Sequence, residues 1–419
     1  MPLSAYWYLI RDNRNVRLSW MAQVVSELGD WFYQVTIFSF LLELTGSAQA
    51  VSFAFLMQVL PQVLSSPAAG VINDRVSRRK VMQVADWTRA VIVFLMMFVR
   101  SREMLPSLYL LLALETVCWA FFEPASRAII PNIATPEQIP IANALGSATW
   151  SINFALGAAI GGVVGVVFGR ETVFVLDSLS FIASALLIRR MRFDEPHAVG
   201  KPPLRWSDFF DYSEIGAGLR YVRKDARLKA AMCIKSGVSL LGANWVILPL
   251  LGERVFPLQL GSISHAQAAT LGISLMLGTR GTGAILGAIL GGNFAGPNTT
   301  RVRKVIPAAF LLGAAGYATI GLSASLPLAI LGILLAHCGG SAAWTCSDTL
   351  LQQLTEDKFR GRVFSAEFAL SMLVLSVVSF SSGQLADHGV DVRTLALWTG
   401  GLMLIPAALW LATERVRRE

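Results

Sequence analysis

The sequence contains few of the residues on which soluble enzymes depend. Of its 419 residues only 15% are charged, and it has four histidines and four cysteines. It contains no GxxxxGK[ST] phosphate loop, no HExxH motif and no ligand spacing typical of a metal site, and its histidines are scattered. We therefore predict a protein that is not an enzyme and that needs no cofactor and no metal.

Long apolar runs make up most of the chain, of which 54% is hydrophobic. A membrane-spanning helix needs about 20 mostly apolar residues. Twelve such runs follow one another, without the polar face of soluble helices or the alternation of barrel strands. We therefore predict an all-α polytopic membrane protein with twelve transmembrane helices. The runs are 18–43, 50–72, 81–99, 106–127, 140–167, 171–189, 229–251, 268–292, 304–323, 326–346, 364–385 and 392–412.

Positive charges are concentrated in alternate connecting segments. With the N-terminus inside, 26 of the 35 lysines and arginines lie on the inner side and five on the outer side. This is the positive-inside distribution, and an even number of spans then places both termini in the cytoplasm. The net charge of +8 therefore reflects membrane topology, and we expect no nucleic-acid partner. The predicted location is the bacterial cytoplasmic (inner) membrane.

The longest connection divides the spans six and six. It contains the segment FDEPHAVGKPP and a basic stretch with helical spacing, which we expect to be an amphipathic helix on the cytoplasmic face. Arg17 opens the first span and Arg227 the seventh, which suggests a duplicated six-helix unit with a substrate site between the halves. We predict a monomer with an N-terminal bundle at 1–190, a linker at 191–227 and a C-terminal bundle at 228–419.

The connection between the second and third runs is the segment GVINDRVSRRK, residues 70–80. A glycine permits close helix contact, an acid at a helix end can meet a neighbouring helix dipole, and basic residues anchor the loop inside. The segment resembles the G-x-x-x-D-R-x-x-R-R/K signature of the major facilitator superfamily. The resemblance implies two pseudo-symmetric six-helix bundles that work by alternating access, with the signature residues in a cytoplasmic gate.

Shorter segments resemble the branch of this superfamily that contains macrolide-type drug exporters and siderophore exporters. They are SELGDW at 26–31, EPASR at 123–127, NAL at 143–145 and GRVF at 361–364. The resemblance implies proton-coupled export of amphipathic compounds. The arginine that many proton antiporters carry in the middle of span four has no counterpart in this chain, and Glu115 lies nearby instead.

Ionisable residues inside a span are costly unless they face a partner or a cavity, so each is a functional hypothesis. Arg280 lies among glycines in span eight and is our candidate for binding an anion or switching charge, or else it forms a fixed pair with an acid. Glu27 and Asp30 share one face of span one, and two close acids suit a proton or cation site. Asp30 is alternatively a structural carboxylate. Glu115 is a second candidate proton carrier, or a buried acid without a role.

The other charged residues near the spans favour structural roles. Asp86 and Arg89, three residues apart, are expected to form a local ion pair near the signature segment, and Glu123 and Arg127 another. Lys235 is expected to extend its amine towards the inner surface. The predicted cytoplasmic gate consists of Gly70, Asp74, Arg75, Arg78, Arg79, Asp86, Arg89, Glu123, Arg127 and Glu367.

Three tryptophans, Trp31, Trp150 and Trp245, would offer amphipathic cargo an aromatic surface if they face a cavity, and otherwise belong to the lipid-facing belt. We therefore expect a secondary transporter whose partners are protons, membrane lipids and an amphipathic small molecule. One alternative is a lysophospholipid transporter of the same fold, in which Asp30 and Arg280 would contact the zwitterionic headgroup. A sensor or scaffold without transport is the other.

Overall fold

The computed structural model describes residues 3–195, 209, 211–223, 225–295, 298–356 and 359–416. In these ranges the regular structure is helical throughout. The helices are α1 Leu3–Asp12, α2 Arg14–Thr45, α3 Ala48–Arg75, α4 Arg78–Met96, α5 Leu105–Ala128, α6 Ile130–Ile133, α7 Ile139–Phe168, α8 Arg170–Arg189, α9 Ser213–Val222, α10 Ala226–Val238, α11 Asn244–Leu250, α12 His265–Ala295, α13 Thr299–Leu322, α14 Leu326–Leu354, α15 Arg360–Asp387 and α16 Val392–Val416.

The twelve predicted spans each coincide with a helix or with a series of joined helical segments. Among the described residues, ten helical stretches are long and apolar enough to cross a membrane. The other two predicted spans are α2 and α4, and both contain ionisable residues within their length. The prediction of an all-α polytopic membrane protein is confirmed.

The seventh span is interrupted, although its sequence reads as one apolar run. Helix α10 continues into a 3₁₀ segment, Ser239–Ala243, then into α11, and ends in the π-helical turn Leu251–Val255. A Cβ atom at Gly242 would lie only 2.6 Å from the carbonyl oxygen of Leu375. Glycine therefore permits a close approach to α15 where the helix tightens.

The chain divides into two compact units, and the first comprises residues 1–40 and 57–211. Its helices pack closely through glycines of α2 and α7. A Cβ atom at Gly157 would lie 2.7 Å from the Cβ of Trp31, and one at Gly161 would lie 2.6 Å from the Cα of Phe32. Small residues thus let the backbones of α2 and α7 approach, as is common in membrane helices.

Arginines hold helix ends together at one end of this first unit. The Arg78 guanidinium donates to the carbonyl of Ala128, at the end of α5, over 2.8 Å. The Arg79 guanidinium donates to the carbonyl of Met191, just after α8, over 2.8 Å. Cations stabilise the free carbonyls at helix C-termini. Two arginines of the signature segment therefore fasten neighbouring helices within their own unit.

The second unit comprises residues 41–56 and 212–419. Helices α12 and α14 pack through three glycines spaced four apart, Gly283, Gly287 and Gly291, which lie against the backbone of α14. The first turn of α3 also belongs to this unit. The Asp387 carboxylate, at the end of α15, accepts hydrogen bonds from the amides of Ala48, at 2.7 Å, and Gln49, at 3.1 Å.

The linker is described only in part. Residues 196–208, 210 and 224 of the predicted segment 191–227 lie outside the described residues. The expected amphipathic helix corresponds to α9, and Asp225 then caps the start of α10, so two helices replace the single one expected. Residues 41–56, which the prediction placed in the N-terminal bundle, group with the second unit, and the domain limits 1–190 and 228–419 stay a prediction.

Candidate functional site

The candidate site in the first unit is a network of buried charges around Arg89. The guanidinium of this α4 residue donates to Glu115 of α5 over 2.7 Å and to Asp30 of α2 over 2.8 Å. Its central carbon lies 3.9 Å from the ring centroid of Phe181 in α8. Arg89 is 2% exposed, so three helices position one fully enclosed cation.

Two further carboxylates belong to this network. Asp86 lies one turn before Arg89 with an oxygen 3.9 Å from its guanidinium. Asp177 of α8 interacts electrostatically with Asp30, Glu115 and Arg89, and its side chain occupies the space that a Cβ atom at Gly29 would fill. The four carboxylates and Arg89 therefore form one charge network.

The charges of this network do not balance if every acid is ionised. Four carboxylates, Asp30, Asp86, Glu115 and Asp177, face one guanidinium, which would leave a net charge of −3. Burying uncompensated charge is strongly unfavourable, and a buried acid avoids the cost by holding a proton. The arrangement is thus chemically suited to bind and release protons.

Several predictions for these residues need revision. The expected local pair of Asp86 with Arg89 exists, but the shorter contacts of Arg89 reach Asp30 and Glu115 on other helices. Glu115 is paired and is not an isolated buried acid. The fourth span, helix α5, has no arginine in its middle. The guanidinium that lies next to Glu115 comes instead from Arg89 of α4, the third span.

A second group on α2 and α7 combines an acid with aromatic rings. The Glu27 carboxylate accepts hydrogen bonds from the amides of Gln23, at 2.8 Å, and Asn153, at 3.1 Å. One turn along, Trp31 stacks on Phe154 with ring centroids 4.0 Å apart. Trp150 lies edge-on to Trp31 at 6.1 Å and is 45% exposed. The sequence thus places an acid and an aromatic surface within two turns of one another.

The second unit contains a comparable network around Lys235. Its amine donates to Asp348 over 2.6 Å and to Glu367 over 2.8 Å, and Ser347 donates to the other oxygen of Glu367. Lys235 is 4% exposed. The prediction that Lys235 extends to the inner surface is therefore wrong, because two carboxylates on α14 and α15 hold it inside the bundle.

Arg280 lies in an aromatic environment in the second unit. Its guanidinium carbon is 4.3 Å from the ring centroid of Trp245, and Trp245 stacks on Phe55 at 4.6 Å. Arg280 also interacts electrostatically with Tyr317 of α13 and His337 of α14. Trp245 is buried in this unit. The structure places Arg280 among rings of four helix segments, and its role in binding an anion stays a prediction.

The glycine and the acid of the signature segment, Gly70 and Asp74, are exposed in this structure. The Asp74 side chain is 75% exposed and lies 3.9 Å from the Arg78 guanidinium. A Cβ atom at Gly70 would meet no described atom within 4 Å, so the close helix contact predicted there is absent. Arg127 pairs with Glu123 at 2.6 Å, as expected. Arg89 belongs to the buried network of the first unit and Glu367 to that of the second, and the joint gate of these residues stays a prediction.

Some members of these networks escaped the sequence analysis. Asp177 is an acid within an apolar run and meets the criterion that selected Glu115, so hydropathy alone could have found it. Asp348 was missed because the predicted tenth span ended at residue 346, whereas α14 continues to Leu354. Asn153, Tyr317 and His337 carry no comparable signal, because polar residues are common in membrane helices.

Comparison with known proteins identifies the family. Residues 10–419 match the major facilitator family described as transmembrane secretion effector. The chain belongs to this family. Macrolide efflux protein A of Streptococcus pyogenes is 23% identical over 415 residues, which cover 95% of this chain and 96% of that protein. The uncharacterized MFS-type transporter YkuC of Bacillus subtilis is 24% identical over 339 residues, covering 79% and 71%.

Solved structures show the same fold in this member of the transmembrane secretion effector family. A mutant of the nucleoside transporter NupG matches with a TM-score of 0.73 at 13% identity, over 94% of this chain and 99% of that one. A bacterial homologue of the human lysosomal transporter Spinster matches with a TM-score of 0.69 at 14% identity, over 96% of both chains. The predicted superfamily, fold and membrane transport function are confirmed. The relatives of this chain include efflux proteins.

Proposed function

We propose that this transporter exports amphipathic small molecules across the bacterial cytoplasmic membrane in exchange for protons, by alternating access. The observation that carries the proposal is the network of one buried guanidinium and four carboxylates around Arg89. Buried ionisable groups in membrane proteins commonly mark proton pathways, because their cost must be offset by a function or a partner.

Asp30 is the member of the network through which protons enter. Its side chain is 23% exposed, whereas Asp86 and Asp177 are fully buried. A proton on Asp30 would remove the charge that holds one side of the Arg89 guanidinium. Arg89 could then turn fully to Glu115, and such a change of partner gives a bundle two discrete arrangements.

The group on α2 and α7 supports the proposed substrate class. Glu27 with Trp31, Trp150 and Phe154 offers one carboxylate beside apolar ring faces. Rings and an acid together favour a cation with a large apolar body. Macrolide efflux protein A, to which the chain is similar, makes a macrolide a suitable first cargo to test.

The test is transport by purified protein in liposomes with an imposed pH gradient. A labelled macrolide and a fluorescent amphipathic cation are followed for wild type, Asp30→Asn and Glu115→Gln. We expect wild type to move cargo faster with the gradient, and both variants to lose that stimulation. Glu171→Gln is the matched control, because Glu171 forms an exposed pair with Arg100 and is not a member of this network.

Two results would contradict the proposal. Undiminished stimulation by the pH gradient in Asp30→Asn would show that this network does not carry the protons. A labelled lysophospholipid, tested in the same liposomes, covers the alternative substrate. If it moved at a rate independent of the gradient while the macrolide and the cation stayed in place, the protein would be a lipid transporter.

A further inference from the structure

A cavity of about 370 Å³ lies at one end of the first unit, where α8 ends and α2 begins. Arg14, Leu186, Arg189, Arg190 and Arg192 line it. The positive-inside rule places this end of the helices at the cytoplasmic surface of the membrane. Neither the transport function nor the networks around Arg89 and Lys235 uses these residues, so the cavity is a separate feature of the molecule.

The four arginines concentrate positive charge around a small space. No described carboxylate forms an ion pair with Arg14, Arg189, Arg190 or Arg192. Of the nearest acids in sequence, Asp12 lies 3.6 Å from Arg11, and Glu195 accepts from the amide of Arg79 at the start of α4. Asp194 follows Arg192 by two residues with an exposed side chain. Four guanidiniums around one small space repel each other, and an anion would relieve that repulsion.

Hydrogen bonds fix the frame of the cavity. The Asn15 side chain exchanges two hydrogen bonds with the backbone of Arg192, at 2.6 and 3.0 Å. The Arg14 guanidinium reaches the carbonyl of Arg190 at 3.4 Å. The chain that follows α8 is therefore tied to the first turn of α2, and the arginines project from a backbone that is held in place.

An apolar face leads along α8 into the cavity. Leu176, Leu179 and Leu186 are 41%, 53% and 44% exposed within the protein, and they recur at helical spacing on one side of α8. Arg189 and Arg190 follow Leu186 by three and four residues and continue the same side. This exposed apolar stripe ends in guanidiniums, so it is complementary to a phospholipid. The acyl chain would lie along the leucines and the phosphate among the arginines.

We propose that this cavity binds the phosphate headgroup of an anionic phospholipid, with an acyl chain along Leu186 and Leu179. Arginine forks match phosphate oxygens bidentately, and basic sites between helices on the cytoplasmic side suit such headgroups. The bound lipid would bridge the start of α2 and the end of α8. This site is independent of the transported cargo, and the proposal holds whichever cargo the protein carries.

Native mass spectrometry of the purified transporter in mild detergent tests the site. Phosphatidylglycerol, phosphatidylethanolamine and soluble glycerol phosphate are titrated in turn. We expect phosphatidylglycerol to bind best and the double variant Arg189→Gln/Arg192→Gln to weaken it by about tenfold or more, since each surface arginine contributes to anionic lipid binding. The matched control Arg11→Gln/Lys80→Gln removes two charges at the same end of the unit and should keep wild-type affinity.

A second variant keeps the test decisive if the double variant does not fold. Leu186→Glu puts a carboxylate at the cavity on a lipid-facing position and should also abolish the preference for phosphatidylglycerol. Equal affinity of wild type and the double variant would overturn the proposal, as would equal weakening by the control pair, which indicates general surface charge. Binding of glycerol phosphate as tight as that of phosphatidylglycerol would replace the lipid with a soluble phosphate compound and overturn it too.

Discussion

Arg89 interacts with acids that come from other parts of the sequence. Asp30 is 59 residues away in the chain and Glu115 is 26 away. Neutralising Arg89 leaves those acids buried without their cation. Removing one partner of a buried ion pair typically costs about 3–5 kcal/mol.

We therefore expect Arg89→Gln to lower the stability of the detergent-purified protein by several kcal/mol, measured as a fall in its thermal unfolding temperature. Arg127→Gln is the matched control. Arg127 also forms a short pair with an acid, Glu123, but its side chain is 82% exposed. Exposed pairs contribute about 0–1 kcal/mol, so this variant should unfold close to wild type. Similar unfolding temperatures for the two variants would show that the network around Arg89 does not stabilise the fold.

Sequence could identify most of these residues but not their partners. An acid or base inside an apolar run is visible from hydropathy, and this selected Asp30, Glu115 and Arg280. Which groups meet depends on how helices pack. Of the three ion-pair contacts that Arg89 makes with described residues, short-range spacing predicted only the longest, the one with Asp86. For Lys235 the general tendency of lysine to reach the surface was outweighed by Asp348 and Glu367, which helix packing brings to its amine.

At the scale of helices, the first turn of α3 depends on a carboxylate from another helix. The amides of Ala48 and Gln49 and the hydroxyl of Ser47 all donate to Asp387, at the end of α15. The first amides of a helix have no partner within it, and a capping carboxylate contributes about 1 kcal/mol. The contact therefore ties residues 41–56 to the second unit.

We expect Asp387→Asn to speed amide hydrogen exchange at residues 48–52, because the amide of asparagine leaves one fewer acceptor and no charge for the helix end. Asp391→Asn serves as the control. Asp391 accepts from the amide of Arg393 and caps its own helix, α16. Its replacement should leave exchange at residues 48–52 unchanged. Wild-type exchange in Asp387→Asn would mean that other contacts hold the start of α3.

The packing of α12 against α14 offers a matched pair of glycines in one helix. A Cβ atom at Gly287 would overlap the backbone of Cys338, whereas one at Gly292 would meet no described atom within 4 Å. We expect Gly287→Ala to destabilise the protein by about 1–3 kcal/mol through overpacking. Gly292→Ala should be neutral or stabilise it by up to about 1 kcal/mol, since alanine favours the helix. Thermal unfolding measures both, and equal effects would contradict this packing.

The helices themselves were largely predictable, because a bilayer requires long apolar segments whose backbone groups pair internally. Their interruptions were not. The 3₁₀ and π turns of the seventh span coincide with close contacts of Gly242 and Gly252 with neighbouring helices, and a glycine in an apolar run does not reveal which backbone will approach it. The glycine of the signature segment likewise does not reveal whether another backbone approaches it. A contact was expected at Gly70, and no described atom lies within 4 Å of a Cβ placed there.

At the scale of the whole molecule, each unit encloses a base that is shared by acids of several helices. Arg89 contacts residues of α2 and α5, and Lys235 contacts residues of α14 and α15. Within each unit, helices that the sequence separates are thus joined through one cation. Each of these acids contacts a cation that also contacts another helix, and the proposed exchange mechanism uses such shared contacts.

The orientation of the molecule in the membrane is predicted by its charge distribution alone, and it is open to direct measurement. In a variant without the four native cysteines, Arg102→Cys and Lys80→Cys each provide one exposed thiol at opposite ends of the unit that contains α4 and α5. The positive-inside rule places residue 102 outside and residue 80 in the cytoplasm. A maleimide that cannot cross membranes should label Arg102→Cys in intact cells, and Lys80→Cys only after the cells are opened. The reverse pattern would invert the topology and place the arginine cavity on the outer surface, where the proposed lipid would have to come from the outer leaflet.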